Sequence, residues 1–273
     1  MIKGSVRAME HNLKGVPETL LIPLWARAAE TKSPKPIIRD EKAVELMEQI
    51  DYDFSKFDGS WMTQTGVAVR TEILDREVRA FIDKHPEAVI INIGCGLDTR
   101  YFRVDNGRIR WYDLDLLEPI NIRRNFFRET ERYHMIAKSV FDYSWIEDID
   151  NGGANVLFLA EGVFMYFTEQ EMTALMDNLT KHFPKAHMFF EMLPRLLVKG
   201  GNKHETVRKT NASFQWGIKG GKDMERMNPR IRFVEEWNYF NYHGERWKWL
   251  GLLALIPAFR NNVNNRIVHI VLE

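Results

Sequence analysis

The sequence AVIINIGCGLDTRYFR, residues 88–103, contains an apolar run, Val89–Ile93, that ends in two glycines separated by one residue, Gly94 and Gly96. A short run of β-branched and aliphatic residues that ends in glycines predicts a buried parallel strand followed by a tight turn. Glycine suits such a turn because its backbone can turn sharply and approach a ligand closely. A second apolar run, residues 109–115, follows and ends in an acid. This order of strand, glycine turn, helix, strand and acid predicts a nucleotide-binding half-sheet.

The glycine turn also discriminates between two classes of cofactor. Asp98 and Thr99 stand where a dinucleotide fingerprint would continue to its third glycine. A dinucleotide needs the close helix–strand contact that this glycine gives, because its pyrophosphate sits on the helix N-terminus. A single adenosine without phosphates does not need it, so the pattern favours S-adenosylmethionine over NAD. An acid follows the glycines by about 20 residues, the spacing of a carboxylate that binds ribose hydroxyls.

Strands and helices alternate along the rest of the chain, which predicts an α/β fold with a doubly wound, mostly parallel sheet. Helical patterns over residues 18–30, 41–50 and 66–84 precede the first strand. We expect a single domain, 1–273, with four parts: a helical prelude (1–86), a cofactor-binding core (87–191), an insertion or lid (192–230), and C-terminal strands with a helix (231–273).

Capping residues indicate where two of the helices begin. Asp40 is a candidate N-cap for the helix over 41–50, and Thr168 with Glu171 three residues later forms a capping-box pattern. Residues 231–237 read as a strand or a short helix. The other predicted elements are helices over 117–132, 169–181, 205–215 and 247–256, and strands over 134–137, 155–160, 186–191 and 266–272.

The composition narrows the classes of partner. The 38 basic residues equal the 38 acidic ones, so the chain offers no electrostatic argument for binding nucleic acid. The single cysteine, Cys95, excludes an internal disulfide, argues against a structural zinc site and fits a reducing compartment. No apolar run approaches the ~20 residues of a membrane span, and the scattered histidines show no metal-binding spacing. We therefore expect a cytoplasmic protein without metal, membrane or nucleic acid as partner.

Several segments together resemble one family, the leucine carboxyl methyltransferases and polyketide O-methyltransferases, which are class I enzymes that use S-adenosylmethionine. The resemblance covers most of residues 17–191 in the same order, and its most specific parts are the G-x-G-L-D-T-R and E-G-V-x-M-Y segments. It implies a seven-stranded methyltransferase sheet and small-molecule or protein acceptors. The matching segments are residues 26–30, 39–40, 70–71, 93–100, 111–115 and 161–166.

The resemblance implies that four residues hold the methionine part of the cofactor. Gly94 and Gly96 would let the backbone pass close to it. Arg70, on a prelude helix, would pair with its carboxylate, because a guanidinium offers a bidentate fork. Glu161, at the end of the fourth strand, would face the amine or the sulfonium.

The resemblance also implies residues for the nucleoside part. Asp115 would accept hydrogen bonds from the ribose hydroxyls, and Asp113 is the alternative residue for this role. Asp142, with the backbone near Tyr143, would contact the adenine. The alternative is that Asp142 simply caps a helix.

The expected reaction is methyl transfer to an oxygen nucleophile, in which the protein contributes alignment and exclusion of water. A carboxylate acceptor needs no general base, whereas a hydroxyl acceptor usually does. The candidate bases are His187, His204, His243 and Tyr166, and no spacing singles one out, so the catalytic residue stays unassigned.

The compact insertion and the aromatic C-terminal third favour a small hydrophobic or polyketide-like acceptor, bearing a hydroxyl or carboxyl, over a protein C-terminus. The alternatives outside methyl transfer are a dinucleotide-dependent oxidoreductase and a non-catalytic cofactor-binding module. The aromatic residues behind this preference are Trp216, Phe233, Trp237, Tyr239, Phe240, Tyr242 and Trp247.

Overall fold

The computed structural model describes residues 17–199 and 213–273, and these contain one sheet of seven strands. The strands are β1 (Val89–Ile93), β2 (Arg110–Asp115), β3 (Tyr133–Ala137), β4 (Val156–Ala160), β5 (His187–Met192), β6 (Ile231–Asn238) and β7 (Arg266–Leu272). Their order across the sheet is β3-β2-β1-β4-β5-β7-β6. Strands β1 to β5 are parallel, and β7 is antiparallel to both of its neighbours. The predicted doubly wound, mostly parallel sheet is confirmed.

The sheet is buried on both faces, as the continuous apolar runs of its central strands require. Every residue of β1 and β4 is buried. Along β1, Ile90 joins the apolar cluster on one face with Leu24 and Ile73, whereas Ile91 joins the cluster on the other face with Leu175. The order of strands reverses beside β1, so the carboxyl ends of β1 and β4 border the crevice in which open sheets bind ligands.

The described helices cover both faces of this sheet. Asp40 caps the second of them by accepting the N–H of Ala43, and the capping box of Thr168 and Glu171 is present, so both predicted caps are confirmed. The helices are α1 (Leu21–Thr31), α2 (Glu41–Gln49), α3 (Trp61–Lys84), α4 (Arg100–Val104), α5 (Leu117–Phe126), α6 (Glu169–His182), α7 (Arg195–Lys199), α8 (Met224–Met227), α9 (Trp249–Leu253) and α10 (Pro257–Val263).

The helical prelude packs directly against the glycine turn. Helix α1 packs on α2 and α3. Arg27 of α1 donates from Nη2 to the carbonyl of Leu97, 2.8 Å away, and its Nε pairs with Asp40. Because Arg27 is buried, this link fixes the prelude onto the segment that follows Gly96.

Three helix predictions were wrong in their bounds. Helix α3 begins at Trp61 rather than at residue 66. Helix α5 ends at Phe126 rather than at 132. The backbone of Phe127 is extended, and its buried ring packs into the apolar cluster that contains Leu24 and Ile73. The helix predicted over 247–256 is interrupted at Lys248, whose φ of 50° is incompatible with a continuous helix. The ring of Trp247, buried and donating from Nε1 to the carbonyl of Tyr242, holds the chain in this break.

The predicted insertion contains α7 and α8 and a bridge between Pro194 and Ile218. The helix predicted over 205–215 lies mostly outside the described residues, and 213–215 are not helical. The uncertain segment after residue 230 is a strand, β6. In the described parts of the chain no helix is long and apolar enough to cross a membrane. The role of 192–230 as a lid stays a prediction.

Candidate active site

The glycine turn after β1 is enclosed by apolar side chains. Gly94 and Gly96 have φ angles of 62° and 47°, in the left-handed region that favours glycine. A Cβ at Gly94 would lie 2.7 Å from Val163, and a Cβ at Gly96 would lie 2.9 Å from Leu20. A side chain at either position would therefore be strained and would have to displace Val163 or Leu20. Burial raises the pKa of the neighbouring Cys95 thiol, which makes it an inert core residue rather than a nucleophile.

The two acids of β2 have different roles. Asp113 is fully buried and is saturated: Asn92 and Trp111 donate to Oδ1, while Arg123 and Tyr133 donate to Oδ2. An ionised carboxylate has about four acceptor sites. No site on Asp113 remains for a ribose hydroxyl.

Asp115 is two residues after Asp113, at the carboxyl end of β2, and is partly exposed. Its Oδ2 accepts the N–H of Gly96 at 2.8 Å, and its Oδ1 accepts the N–H of Leu116 at 2.7 Å. Burial raises the pKa of this carboxyl, and the two backbone N–H groups offset part of that rise. Each oxygen keeps one acceptor site, so the geometry favours Asp115 over Asp113 as the ligand of the ribose.

Arg70 of α3 reaches the carboxyl ends of β4 and β5 and lies between two glutamates. Its Nη2 is 2.7 Å from Glu161 Oε1, and its Nη1 is 2.7 Å from Glu191 Oε2. Gly162, with a φ of 69°, follows Glu161, and a Cβ there would lie 3.6 Å from Arg70 Nη1. The Arg70 Nε is buried and has no hydrogen-bond partner among the described residues. We call Arg70, Glu161 and Glu191 the acid–arginine cluster.

A second arginine that sequence analysis did not single out completes the surroundings of Glu161. Arg100, 1% exposed, donates from Nη2 to Glu161 Oε2 at 2.6 Å and pairs with Asp98 and Asp75. The signal was present in the L-D-T-R segment, whose Asp98 and Arg100 face each other across the turn. Burial alone would raise the pKa of Glu161, but the charges of Arg70 and Arg100 outweigh burial and lower it. Glu161 is therefore a carboxylate near neutral pH.

The residues predicted for the adenine lie apart from this cluster. Asp142 is exposed and caps the 3-10 turn Tyr143–Asp148 by accepting the N–H of Ser144. The Tyr143 hydroxyl bonds to Asn178 on α6. The capping role that the sequence left open for Asp142 is thus present, and a role toward adenine stays a prediction.

The candidate bases are not gathered at one place. His187 is the first residue of β5, at the amino edge of the sheet, and bonds to His269 at 2.8 Å. His243 bonds to Glu72 at 2.8 Å, and His204 lies outside the described residues. Among the described candidates, Tyr166 is the one whose pKa responds to the charges of Glu191 and Arg70.

Tyr166 is placed to donate a hydrogen bond rather than to act as a base. Burial raises the pKa of its hydroxyl, which also bonds to Thr19. Its ring lies 5.7 Å from that of Phe214. A phenol with a raised pKa keeps its proton near neutral pH, so the catalytic base stays unassigned.

The sequence is similar over most of its length to known proteins. The family model described as leucine carboxyl methyltransferase matches residues 21–180. The chain belongs to this family. The chain is 33% identical over 256 residues to the tetracenomycin polyketide synthesis O-methyltransferase TcmP of Streptomyces glaucescens, covering 91% of this chain and 94% of the relative. It is 28% identical over 282 residues to the S-adenosyl-L-methionine-dependent methyltransferase dpfgK of Gibberella zeae, covering 93% of each.

The fold agrees with this membership. Magnesium protoporphyrin IX methyltransferase ChlM from Synechocystis PCC 6803, solved with bound SAH, superposes with a TM-score of 0.50 at 10% identity, covering 85% of this chain and 94% of that one. The protein is thus a methyltransferase that depends on S-adenosylmethionine, as its sequence predicted. The oxidoreductase and the non-catalytic module are set aside.

The residues present fit this methyltransferase's cofactor. The methionine end of S-adenosylmethionine carries a carboxylate and an ammonium, and the site offers a guanidinium with an unpaired buried Nε beside a carboxylate, Glu161. The glycine turn itself contributes no side chain at Gly94 and Gly96, whose neighbours are Val163 and Leu20. Asp115 offers two free acceptor sites at its edge. In the described residues no group of three or more His, Cys, Asp or Glu side chains could hold a metal ion.

Proposed function

We propose that this enzyme transfers a methyl group to a hydroxyl oxygen of a small, apolar acceptor, with Arg70, Gly94, Gly96, Asp115 and Glu161 holding the cofactor, and Asp142 with Tyr143 near its adenine. S-Adenosylmethionine supplies a methyl group already activated by its sulfonium. The chain therefore has to align the acceptor and exclude water.

One observation carries the choice of a neutral acceptor, namely that the arginines around Glu161 are already neutralised. Arg70 pairs with Glu161 and Glu191, and Arg100 pairs with Asp75, Asp98 and Glu161. No cation in the described part of this cluster is left over for a carboxylate on the acceptor. Burying an anion without a partner is costly, whereas a hydroxyl is not charged.

The side chains around the crevice support an apolar acceptor. Leu20 and Val163 lie against the glycine turn, and the rings of Tyr166 and Phe214 lie 5.7 Å from each other. The aromatic residues that first suggested such an acceptor contribute less than expected, because Trp216, Tyr239 and Trp247 are buried in the core. The similarity to TcmP, which is named as a polyketide O-methyltransferase, supports methylation of oxygen in a molecule of this kind.

Without a placed base, the proposed reaction suits a phenol best. A phenol has a pKa near that of tyrosine, about 10, and loses its proton far more readily than an aliphatic alcohol. Leu20 and Val163 pack against the glycine turn, and Tyr166 can donate a hydrogen bond that orients the acceptor oxygen. The phenol oxygen bonds to the methyl carbon as the sulfonium–methyl bond breaks and S-adenosylhomocysteine leaves. The phenolic proton is released to bulk solvent, since no side chain is assigned to accept it.

The experiment that tests this proposal uses S-adenosylmethionine with a labelled methyl group. The purified protein is incubated with a panel of small phenols, small aromatic carboxylates and peptides with a free C-terminal carboxylate. Products are then treated with mild alkali, which cleaves methyl esters and leaves aryl methyl ethers intact.

We expect transfer to phenols with an alkali-stable label. An alkali-labile label on the peptides alone would overturn the proposal in favour of a protein carboxyl methyltransferase. A label only on small carboxylates would reject the hydroxyl acceptor but keep the small one. Tyr166→Phe is the companion variant, and we expect a drop in kcat of about tenfold from the loss of one hydrogen bond.

A further inference from the structure

The acid–arginine cluster uses a different nitrogen of Arg70 for each glutamate. Nη1 donates a hydrogen bond to Glu191 at 2.7 Å, and Nη2 forms an ion pair with Glu161 at 2.7 Å. In a guanidinium, Nε–H and one N–H of Nη2 point from the same edge, and a carboxylate can bind both at once. On that edge of Arg70, Nη2 is occupied by Glu161, and Nε is buried without a partner among the described residues.

An unpaired Nε alone does not mark a ligand site, since Arg123 and Arg266 share this feature. Arg70 differs in what occupies the rest of the edge. Glu161 holds Nη2 with a single oxygen and has the other oxygen on Arg100. A ligand carboxylate that displaces Glu161 would gain both Nε and Nη2, and it would give the buried Nε an acceptor.

Glu191 is anchored in a way that Glu161 is not. Its Oε1 accepts from the Tyr239 hydroxyl at 2.9 Å and from Asn265 Nδ2 at 2.7 Å, while Oε2 accepts from Arg70. These neutral donors come from the segments around β6 and β7, and Glu191 is 2% exposed. The described partners of Glu161 are instead two arginines, one of which is Arg70 itself.

We propose that Glu191 is a positioning residue, which holds Arg70 through Nη1 while the Nε–Nη2 edge passes from Glu161 to the carboxylate of the cofactor's amino-acid end. This inference rests on the proposed assignment of Arg70 and Glu161 to that end. The charges balance, because one arginine–glutamate pair is exchanged for an arginine–carboxylate pair and a glutamate–ammonium pair. Without Glu191, Arg70 would be held only by the carboxylate that it has to leave.

The test compares two ligands that share the adenosine part. S-Adenosylhomocysteine has the amino-acid end, and 5′-methylthioadenosine lacks it. Calorimetric titration gives the Kd of each for the wild type and for Glu191→Gln, which keeps the side-chain volume and removes the charge. We expect the variant to bind S-adenosylhomocysteine about tenfold more weakly, the effect of one charged hydrogen bond, and to bind methylthioadenosine within about twofold of the wild type.

A purely structural role for Glu191 would weaken both ligands equally, and this result, or unchanged binding of S-adenosylhomocysteine, would overturn the inference. Tyr239→Phe removes one anchor of Glu191 without touching Arg70's charge, and it should weaken S-adenosylhomocysteine alone by about threefold. This second variant decides the matter if Glu191→Gln does not fold.

Two controls separate this inference from the assignments beneath it. Glu30→Gln makes the same change in a buried glutamate paired with Arg246, away from the cluster, and should leave both affinities unchanged. Asp115→Asn should weaken the binding of both ligands.

If Arg70→Ala in an otherwise wild-type protein left S-adenosylhomocysteine binding intact, the assignment of Arg70 itself would fail. If Arg70→Ala weakened it and Glu191→Gln did not, only the role of Glu191 would fail.

Discussion

Asp113 lies on β2 and Glu161 directly follows β4, the two strands that flank β1, and both carboxylates pair with arginine, yet their surroundings differ. Asp113 receives hydrogen bonds from four side chains, so its acceptor sites are filled. Glu161 has one arginine on each oxygen, an ion pair with Arg70 on Oε1 and a hydrogen bond from Arg100 on Oε2, and its side chain is 9% exposed. The difference indicates that the filling of a carboxylate's hydrogen-bond acceptor sites, rather than its burial or charge, separates a carboxylate that stabilises the fold from one that can bind a ligand.

The same contrast extends to the arginines. Arg123 donates hydrogen bonds to Asp113, to the Tyr133 hydroxyl and to the carbonyls of Gly96 and Asp98. It thereby connects β2 to the glycine turn. Among the described residues, Arg70 pairs with two carboxylates, Glu161 and Glu191. The Asp113 pair thus supports the turn, whereas the acid–arginine cluster is the part that we propose meets the cofactor.

The largest effect expected from this comparison is on stability. Asp113→Asn should lower the free energy of unfolding by about 3–5 kcal/mol, because it leaves the charge of Arg123 buried without its partner. Denaturant unfolding measures this loss. The matched control is Asp105→Asn, which breaks a partly exposed pair with Arg132 and should cost about 0–1 kcal/mol. Equal losses for the two variants would contradict the structural role of Asp113.

A smaller effect, on ligand affinity rather than on folding, is expected for Glu161→Gln. Loss of its charge removes the partner proposed for the ammonium of the cofactor, and the Kd of S-adenosylhomocysteine should rise about 10- to 100-fold. Titration calorimetry measures the Kd, and denaturant unfolding should show a smaller loss than for Asp113→Asn. Glu169→Gln, an exposed change on α6, is the control. An unchanged Kd would show that an unsaturated carboxylate does not by itself predict ligand binding.

The smallest effect is expected at the opposite, amino edge of the sheet, where His187 and His269 bond to each other. Burial lowers the pKa of His269 to about 4 and also lowers that of His187, and the positive charges of Arg232 and Lys84 act in the same direction. Because the folded state disfavours their protonation, the stability is present above the ordinary histidine pKa of about 6.5 and is lost as the pH falls from there toward 4.

Thermal unfolding from pH 7 to pH 4 measures this dependence. His269→Gln should flatten the fall in Tm below pH 6.5, and the affinity for S-adenosylhomocysteine at pH 7 should not change, since the pair lies away from the acid–arginine cluster. A variant with the same slope as the wild type would place the acid sensitivity elsewhere in the chain.

The fold could be predicted from the sequence because its signals are local. The apolar run of Val89–Ile93, the glycines after it and the caps at Asp40 and Thr168 each act within a few residues of chain. The bounds of α5 and of the segment around Lys248 could not, because Phe127 and Trp247 turn into the core and override the local helical pattern.

The sequence by itself determined the type of sheet, the position of the glycine turn and the choice of S-adenosylmethionine over a dinucleotide, since these depend on residue types at fixed spacing. Only the tertiary structure decided which acid of β2 is saturated, and that Arg70 meets Glu191, 121 residues away along the chain. Hydrogen-bond saturation is a sum over donors from distant strands and helices, and no local pattern contains that sum.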